Sequence, residues 1–181
     1  MSPVSFRLVT AATTSVLLLT ACGAWQAISD TSSSAWNSVF SDNIRVLNVD
    51  LTAVDALDPD EHGRVAPVTV RVYQLKDRKA FDDTSFPELL KSDRTLLAHD
   101  VLAGMASVLN PGASVSLSQP MQGDTKYVAV VAFYRTAGTS GTWKRVIDRK
   151  RLDAEKPLKL TLNEEAIELQ DDASRTRRRP P

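Results

Sequence analysis

The sequence predicts a mainly β chain: an antiparallel two-sheet β-sandwich with a short helical insertion. Three observations predict it. From residue 44 onward, apolar residues recur at every second position in segment after segment, which is the period of a half-buried strand. Turn residues punctuate those segments, as at Asn110-Pro111-Gly112 and Gly123-Asp124, each suited to a tight reversal. Only one stretch, residues 77–93, breaks the alternation, and it carries a helix-start signal. About seven or eight short strands with such spacing argue for an antiparallel two-sheet sandwich.

Each element has its own warrant. In Ile44–Val54, Leu47, Val49, Leu51 and Ala53 share one face, while Asn48, Asp50 and Thr52 share the other. In Val68–Leu75, Val68, Val70 and Val72 point one way and Thr69, Arg71 and Tyr73 the other. Met105–Leu109 is a further expected strand. Ser114–Gln119 sets Val115 and Leu117 inward against three outward serines. Tyr127–Tyr134 is apolar on both faces, so it belongs at the centre of a sheet. Trp143–Asp148 follows through a hairpin loop at Gly138–Gly141, and Leu158–Leu162 and Ala166–Leu169 complete the set. Within the insertion, Ser85 and Glu88 form a capping box with Pro87 in the first turn, where its missing N–H costs nothing. Phe81 and Phe86 are expected to staple this insertion to the sandwich.

The flanks differ in kind. Residues 1–21 read as a lipoprotein signal peptide: Arg7 marks the n-region, and Leu8–Leu19 is an uncharged apolar run. That run is shorter than the roughly 20 residues a bilayer span needs. Leu19-Thr20-Ala21-Cys22 then resembles a bacterial lipobox, with small residues to enter a protease cleft and a thiol to take the lipid. Cys22 is therefore the expected lipidation site, and Gly23 after it, not Asp, favours the outer membrane. Residues 22–43 form a tether rich in Ser and Thr, in which Trp25, Ile28, Trp36, Val39 and Phe40 could share a helix face. Residues 170–181 form a polar tail ending in a run of arginines, expected to be disordered.

Composition excludes several functions. The 181 residues carry 22 basic and 22 acidic groups, 43% hydrophobic and 24% charged residues. Zero net charge argues against nucleic-acid binding. Two histidines and one cysteine leave little for a metal site and no disulfide within the chain. No catalytic constellation is visible. His99 and Asp100 are adjacent, so in an extended chain they face opposite ways. Ser140 lacks the glycine two places on that a nucleophile elbow requires. Asp58–Gly63 superficially resembles a calcium loop, but its twelfth position is Thr69 and not a bidentate carboxylate. No metal and no cofactor beyond a covalent lipid on Cys22 are expected.

The connection Asp55–Ala66 stands out. It is longer than the two to five residues a hairpin requires, and it carries Asp55, Asp58, Asp60 and Glu61 with Leu57 among them. Long loops on rigid sandwiches are where binding resides; the alternative reading of the same residues is a mobile acidic loop with no partner.

These residues also carry a resemblance. Cys22 in its lipobox, then Gly63-Arg64 leading into the strand Pro67–Leu75, then Asp77, Phe81, Phe86, Leu90, the Asp93 region, Asn110-Pro111-Gly112, Tyr127–Arg135 and Trp143-Lys144 resemble the outer-membrane lipoprotein of the type VI secretion system, the TssJ family. The resemblance covers most of residues 44–165. It implies a transthyretin-like sandwich and a non-enzymatic role. It further implies that the lipoprotein anchors the membrane complex by holding the periplasmic C-terminal domain of the inner-membrane subunit TssM through the loop between its first two strands. The partner-binding residues would then be Leu57, Asp58, Asp60, Glu61, His62 and Arg64, with Leu57 as apolar anchor and the carboxylates steering a basic patch. The contrasting reading is a periplasmic transthyretin-like carrier of small ligands, which would need a sizeable apolar pocket. A cell-wall enzyme is a third, disfavoured by the missing acid/base pair.

Overall fold

A computed structural model describes residues 44–135 and 142–170. The expected signal peptide, Cys22, the expected tether and its helix face, the Gly138–Gly141 loop and the tail beyond Gln170 lie outside the described residues. All eight expected strands form: β1 (Val46–Ala53), β2 (Val68–Leu75), β3 (Val101–Leu109), β4 (Ser114–Pro120), β5 (Tyr127–Phe133), β6 (Lys144–Asp148), β7 (Leu158–Leu162) and β8 (Ile167–Leu169). They make two four-stranded sheets, ordered β4-β1-β7-β8 and β3-β2-β5-β6.

The alternation read from the sequence sorts side chains between two cores. Between the sheets lie Leu47, Val49, Leu51, Ala53, Val68, Val70, Val72, Val128, Val130 and the leucines of β7. Across the β3-β2-β5-β6 sheet, the other faces of β2 and β5 contribute Tyr73, Leu75, Ala129 and Val131 to a second cluster. This is why β5 is apolar on both sides: one face meets the opposite sheet and the other meets the helices. The polar faces of β1 and β4 pair across the ladder. The Ser116 hydroxyl donates to Asp50 Oδ1 at 2.7 Å, and Ser114 lies beside Thr52 at 3.2 Å.

The insertion folds as two helices, α1 (Lys79–Asp83) and α2 (Phe86–Leu96). The Glu88 carboxylate accepts from the Ser85 N–H at 2.9 Å and its hydroxyl at 2.6 Å, which holds the start of α2 as expected. Phe81, Leu89 and Leu97 are fully buried against the sheet. The Phe86 ring stacks edge-on to Trp143 at 5.2 Å and tilts on Phe133 at 5.6 Å. Lys144 Nζ donates to the carbonyls of Phe81, Asp82 and Thr84 at 3.0, 2.7 and 3.0 Å, capping carbonyls that α1 leaves open.

Three features depart from the sequence reading. α2 continues to Leu96, past the expected limit near Asp93, because Asp93 is held by the sheet: Tyr73 Oη donates to it at 2.6 Å and Arg71 pairs with it at 3.0 Å. β3 begins four residues before Met105, since pairing with β2 runs to Val101 through an irregularity at Gln74/Leu75. The sandwich is also not wholly antiparallel: β1 and β7 pair in parallel, Val49 opposite Leu158 and Ala53 opposite Leu162. Two strands so far apart in the chain can run either way, and alternation does not encode direction.

Candidate functional site

The β1–β2 connection is not an extended hairpin. β1 lies in one sheet and β2 in the other, so the chain crosses the end of the sandwich, and that crossing sets its length. The residues at its middle close that end. Leu57 is fully buried and joins the core between the sheets. Its carbonyl accepts from the Ala66 N–H at 3.1 Å, which draws the two legs of the loop together. Asp58 has positive φ (48°), a conformation Asp tolerates better than most residues. Its N–H donates to the Glu164 carbonyl at 3.2 Å.

The Asp58 carboxylate, 1% exposed, accepts from the Arg135 N–H at 2.9 Å and from Arg135 Nε at 3.1 Å. The same guanidinium donates to the Asp58 carbonyl and, at 2.7 Å, to the Arg64 carbonyl. One side chain from the end of β5 therefore holds both legs of the loop. Beside it the buried Tyr134 hydroxyl donates to the Ala166 carbonyl at 2.9 Å. Burial and the nearby Asp58 charge hold that phenol far above its usual range, so it stays neutral and serves as a donor.

The tip is a second ordered unit. Asp60 Oδ1 accepts from the N–H groups of His62 and Arg64, both at 2.9 Å, and Oδ2 accepts from Arg64 Nε at 2.7 Å. The Gly63 N–H donates to the Asp60 carbonyl at 2.9 Å, closing a turn with Gly63 at φ 73°, where glycine carries no Cβ penalty. Oxygens that a calcium loop would offer to a cation are thus taken by N–H donors. The next crossing is braced against this one: Gly112, at φ 70°, donates to the Val54 carbonyl at 3.0 Å, and a Cβ there would come within 2.5 Å of Asp55 Oδ1.

The Asp60 contacts, led by the Arg64 N–H, hold its carboxyl below the ordinary 3.8. A depressed folded-state pKa contributes order that is present above 3.8 and lost as pH falls through the lower folded value. The amide protons of His62 and Arg64 are therefore expected to keep their bonded NMR shifts at neutral pH. They should relax toward coil values with a midpoint below 3.8. A midpoint at or above that value would reject the turn.

Of the six residues expected to contact a partner, four present surface. Glu61, His62 and Arg64 are exposed and Asp60 is half-buried. Leu57 and Asp58 do not: both side chains are spent inside the domain, one on the core and one on Arg135. Leu57 therefore cannot be the apolar anchor at this surface. The exposed apolar side chain of the loop is Val65, 45% exposed, which sequence reading passed over. Its signal was available, since Val65 falls out of phase with the inward set Val68, Val70 and Val72. Steering by carboxylates is also reduced, because Asp58 and Asp60 are each neutralised by an arginine.

These features define a small two-sheet β-sandwich with a long, internally bonded connection between its sheets. Residues 45–166 match the family described as Type VI secretion lipoprotein, VasD, EvfM, TssJ, and the chain belongs to that family of secretion-system lipoproteins, which is not a known class of enzyme.

Solved structures agree. A chain of a structure described as a type VI membrane complex is 30% identical, with TM-score 0.66, over 70% of this chain and 98% of that one. A chain of a structure described as the T6SS protein TssM C-terminal domain from EAEC is 28% identical, with TM-score 0.62, over 70% and 98%. The T6SS lipoprotein TssJ1 from Pseudomonas aeruginosa is 26% identical, with TM-score 0.59, over 69% and 94%. No curated protein matches significantly by sequence.

Proposed function

We propose that this lipoprotein anchors a type VI membrane complex to the outer membrane from its periplasmic face. Lipid on Cys22 would hold it there, and the exposed arc of the β1–β2 connection would grip the periplasmic C-terminal domain of the inner-membrane subunit TssM. The observation that carries this reading is the double restraint on that connection. Arg135 holds its base through Asp58, and Asp60 folds its tip, so Glu61, His62, Arg64 and Val65 face outward in a prearranged array. A loop ordered before binding loses little entropy when it docks. The matched chains from structures described as a membrane complex and as a TssM domain support the same partner.

Binding to a purified TssM periplasmic C-terminal fragment tests it. The triple substitution Glu61→Lys, His62→Glu, Val65→Asp touches only exposed side chains outside the Asp60–Arg64 ion pair. It is expected to weaken affinity by about 30-fold or more, the effect of losing one hot-spot cluster, with an unchanged melting temperature. Undiminished affinity would move the interface elsewhere. Substitution is a cleaner probe than excision of residues 58–64, which would remove the Asp58 ion pair as well. Separately, Cys22→Ser is expected to release the protein from the membrane fraction, because a thioether-linked anchor has no other attachment point. Unchanged fractionation would reject Cys22 as the anchor.

A further inference from the structure

Two four-stranded open sheets have four edges, formed by β4, β8, β3 and β6. Free edges invite unwanted pairing, and proteins blunt them with charge, proline or brevity. Three of these edges are blunted. β4 alternates serine outward and ends in Pro120. β8 has only three residues and carries Glu168. β6 has five and carries Lys144, Arg145 and Asp148. β3 is not: its nine residues, VLAGMASVL, contain no charge and no proline. It pairs with β2 on one side. Among the described residues its other backbone contact is the Val101 N–H to the Leu97 carbonyl, so half its peptide groups face outward without a partner strand. Val108 stands on it 60% exposed, more than any other large apolar residue among those described.

The sequence of that edge selects its occupant. Read from either end, β3 has the same pattern about Met105. Val101 mirrors Leu109, Leu102 mirrors Val108, Ala103 mirrors Ser107 and Gly104 mirrors Ala106. A two-fold antiparallel pairing of two such strands sets branched apolar residues opposite branched apolar residues and small opposite small. No like charges meet, since the strand has none. We propose that β3 is a self-pairing edge: two copies of this chain join β3 to β3, antiparallel and centred on Met105, into one continuous eight-stranded sheet. The regular centre of that ladder, Ala103–Ser107 against its own copy, supplies about four to six hydrogen bonds, with the irregularity at Leu102 lying outside it. An isologous contact of this kind closes as a dimer and does not propagate. Confinement on a membrane would raise the effective concentration of copies and favour the contact.

The register gives a sharp test. Cys22 is the sole cysteine, so single cysteines placed on β3 in the full chain can be oxidised in cell envelopes, with the wild-type chain as background. Under the two-fold, residue 105 faces itself. Opposed Cα atoms in an antiparallel pair lie about 4.5–5.5 Å apart, within the roughly 4.4–6.8 Å a disulfide spans. Met105→Cys is expected to give a covalent homodimer on a non-reducing gel. Leu102→Cys and Val108→Cys face each other across copies, so each alone should crosslink no more than wild type, whereas co-expressed with different tags they should join. Adding Ala106→Lys and Val108→Lys, both at exposed positions, should cut the Met105→Cys dimer by about tenfold or more through charge on the edge. If Met105→Cys fails to fold, the Leu102/Val108 pair carries the test at the sheet's outer face. The proposal falls if neither arrangement crosslinks, if Val108→Cys alone matches the mixed pair, or if the lysines leave the dimer intact.

Discussion

Truncating Leu57 to alanine is expected to destabilise the domain by about 2–5 kcal/mol, the range for a fully buried leucine whose cavity cannot collapse. Leu57 has no exposed surface and sits in the core between the sheets. It also carries the carbonyl that closes the loop onto Ala66. The same variant should therefore loosen the tip and weaken partner binding indirectly. Denaturant unfolding measures the first effect, and amide exchange at His62 and Arg64 the second. Val65→Ala is the contrast: a half-exposed valine should cost no more than about 0.5 kcal/mol of stability while still weakening binding. If Leu57→Ala kept full stability and lost binding, Leu57 would be a contact residue after all.

Removing the Arg135 guanidinium is the second large effect. Arg135→Gln leaves the Asp58 carboxylate, 1% exposed, with the Arg135 N–H as its remaining partner from that residue, and leaves the Arg64 carbonyl with the Asp60 N–H as its one backbone donor. Hydrogen bonds to a charged group contribute about 1.5–3 kcal/mol. The arginine side chain is 43% exposed, so water partly replaces it and the cost belongs at the lower end. The partner variant is Asp58→Asn, because asparagine tolerates the positive φ that alanine would resist. A double-mutant cycle should return a coupling of at least about 0.5 kcal/mol. Additive losses would mean that the pair does not act as a unit, and that Arg135 holds the loop only through the two carbonyls.

Some of the site was legible in the residues and some was not. The capping box at Ser85/Glu88, the doubly apolar β5 and the inward set Leu47, Val49, Leu51 and Ala53 are local patterns, and each folds as its period dictates. The Asp60 turn is local too, since all its partners lie within four residues. Arg135 is different. Nothing near it in sequence marks it as the residue that secures a loop beginning eighty residues earlier at Asp55. Leu57 and Val65 show the same limit: both are aliphatic residues in a polar loop, and composition favoured the wrong one as the exposed anchor.

By itself the amino-acid order determined the strands, the start of α2, the two-faced burial of β5 and the family, because period, caps and turns act between residues a few places apart. The tertiary structure alone decided that β1 runs parallel to β7, that the β1–β2 connection crosses between sheets, which of its carboxylates are spent internally, that the second face of β2 is buried, and that β3 lies at the edge of its sheet. Those outcomes depend on which distant segments meet. The free energy of a meeting is a property of both surfaces together, and neither segment carries it alone.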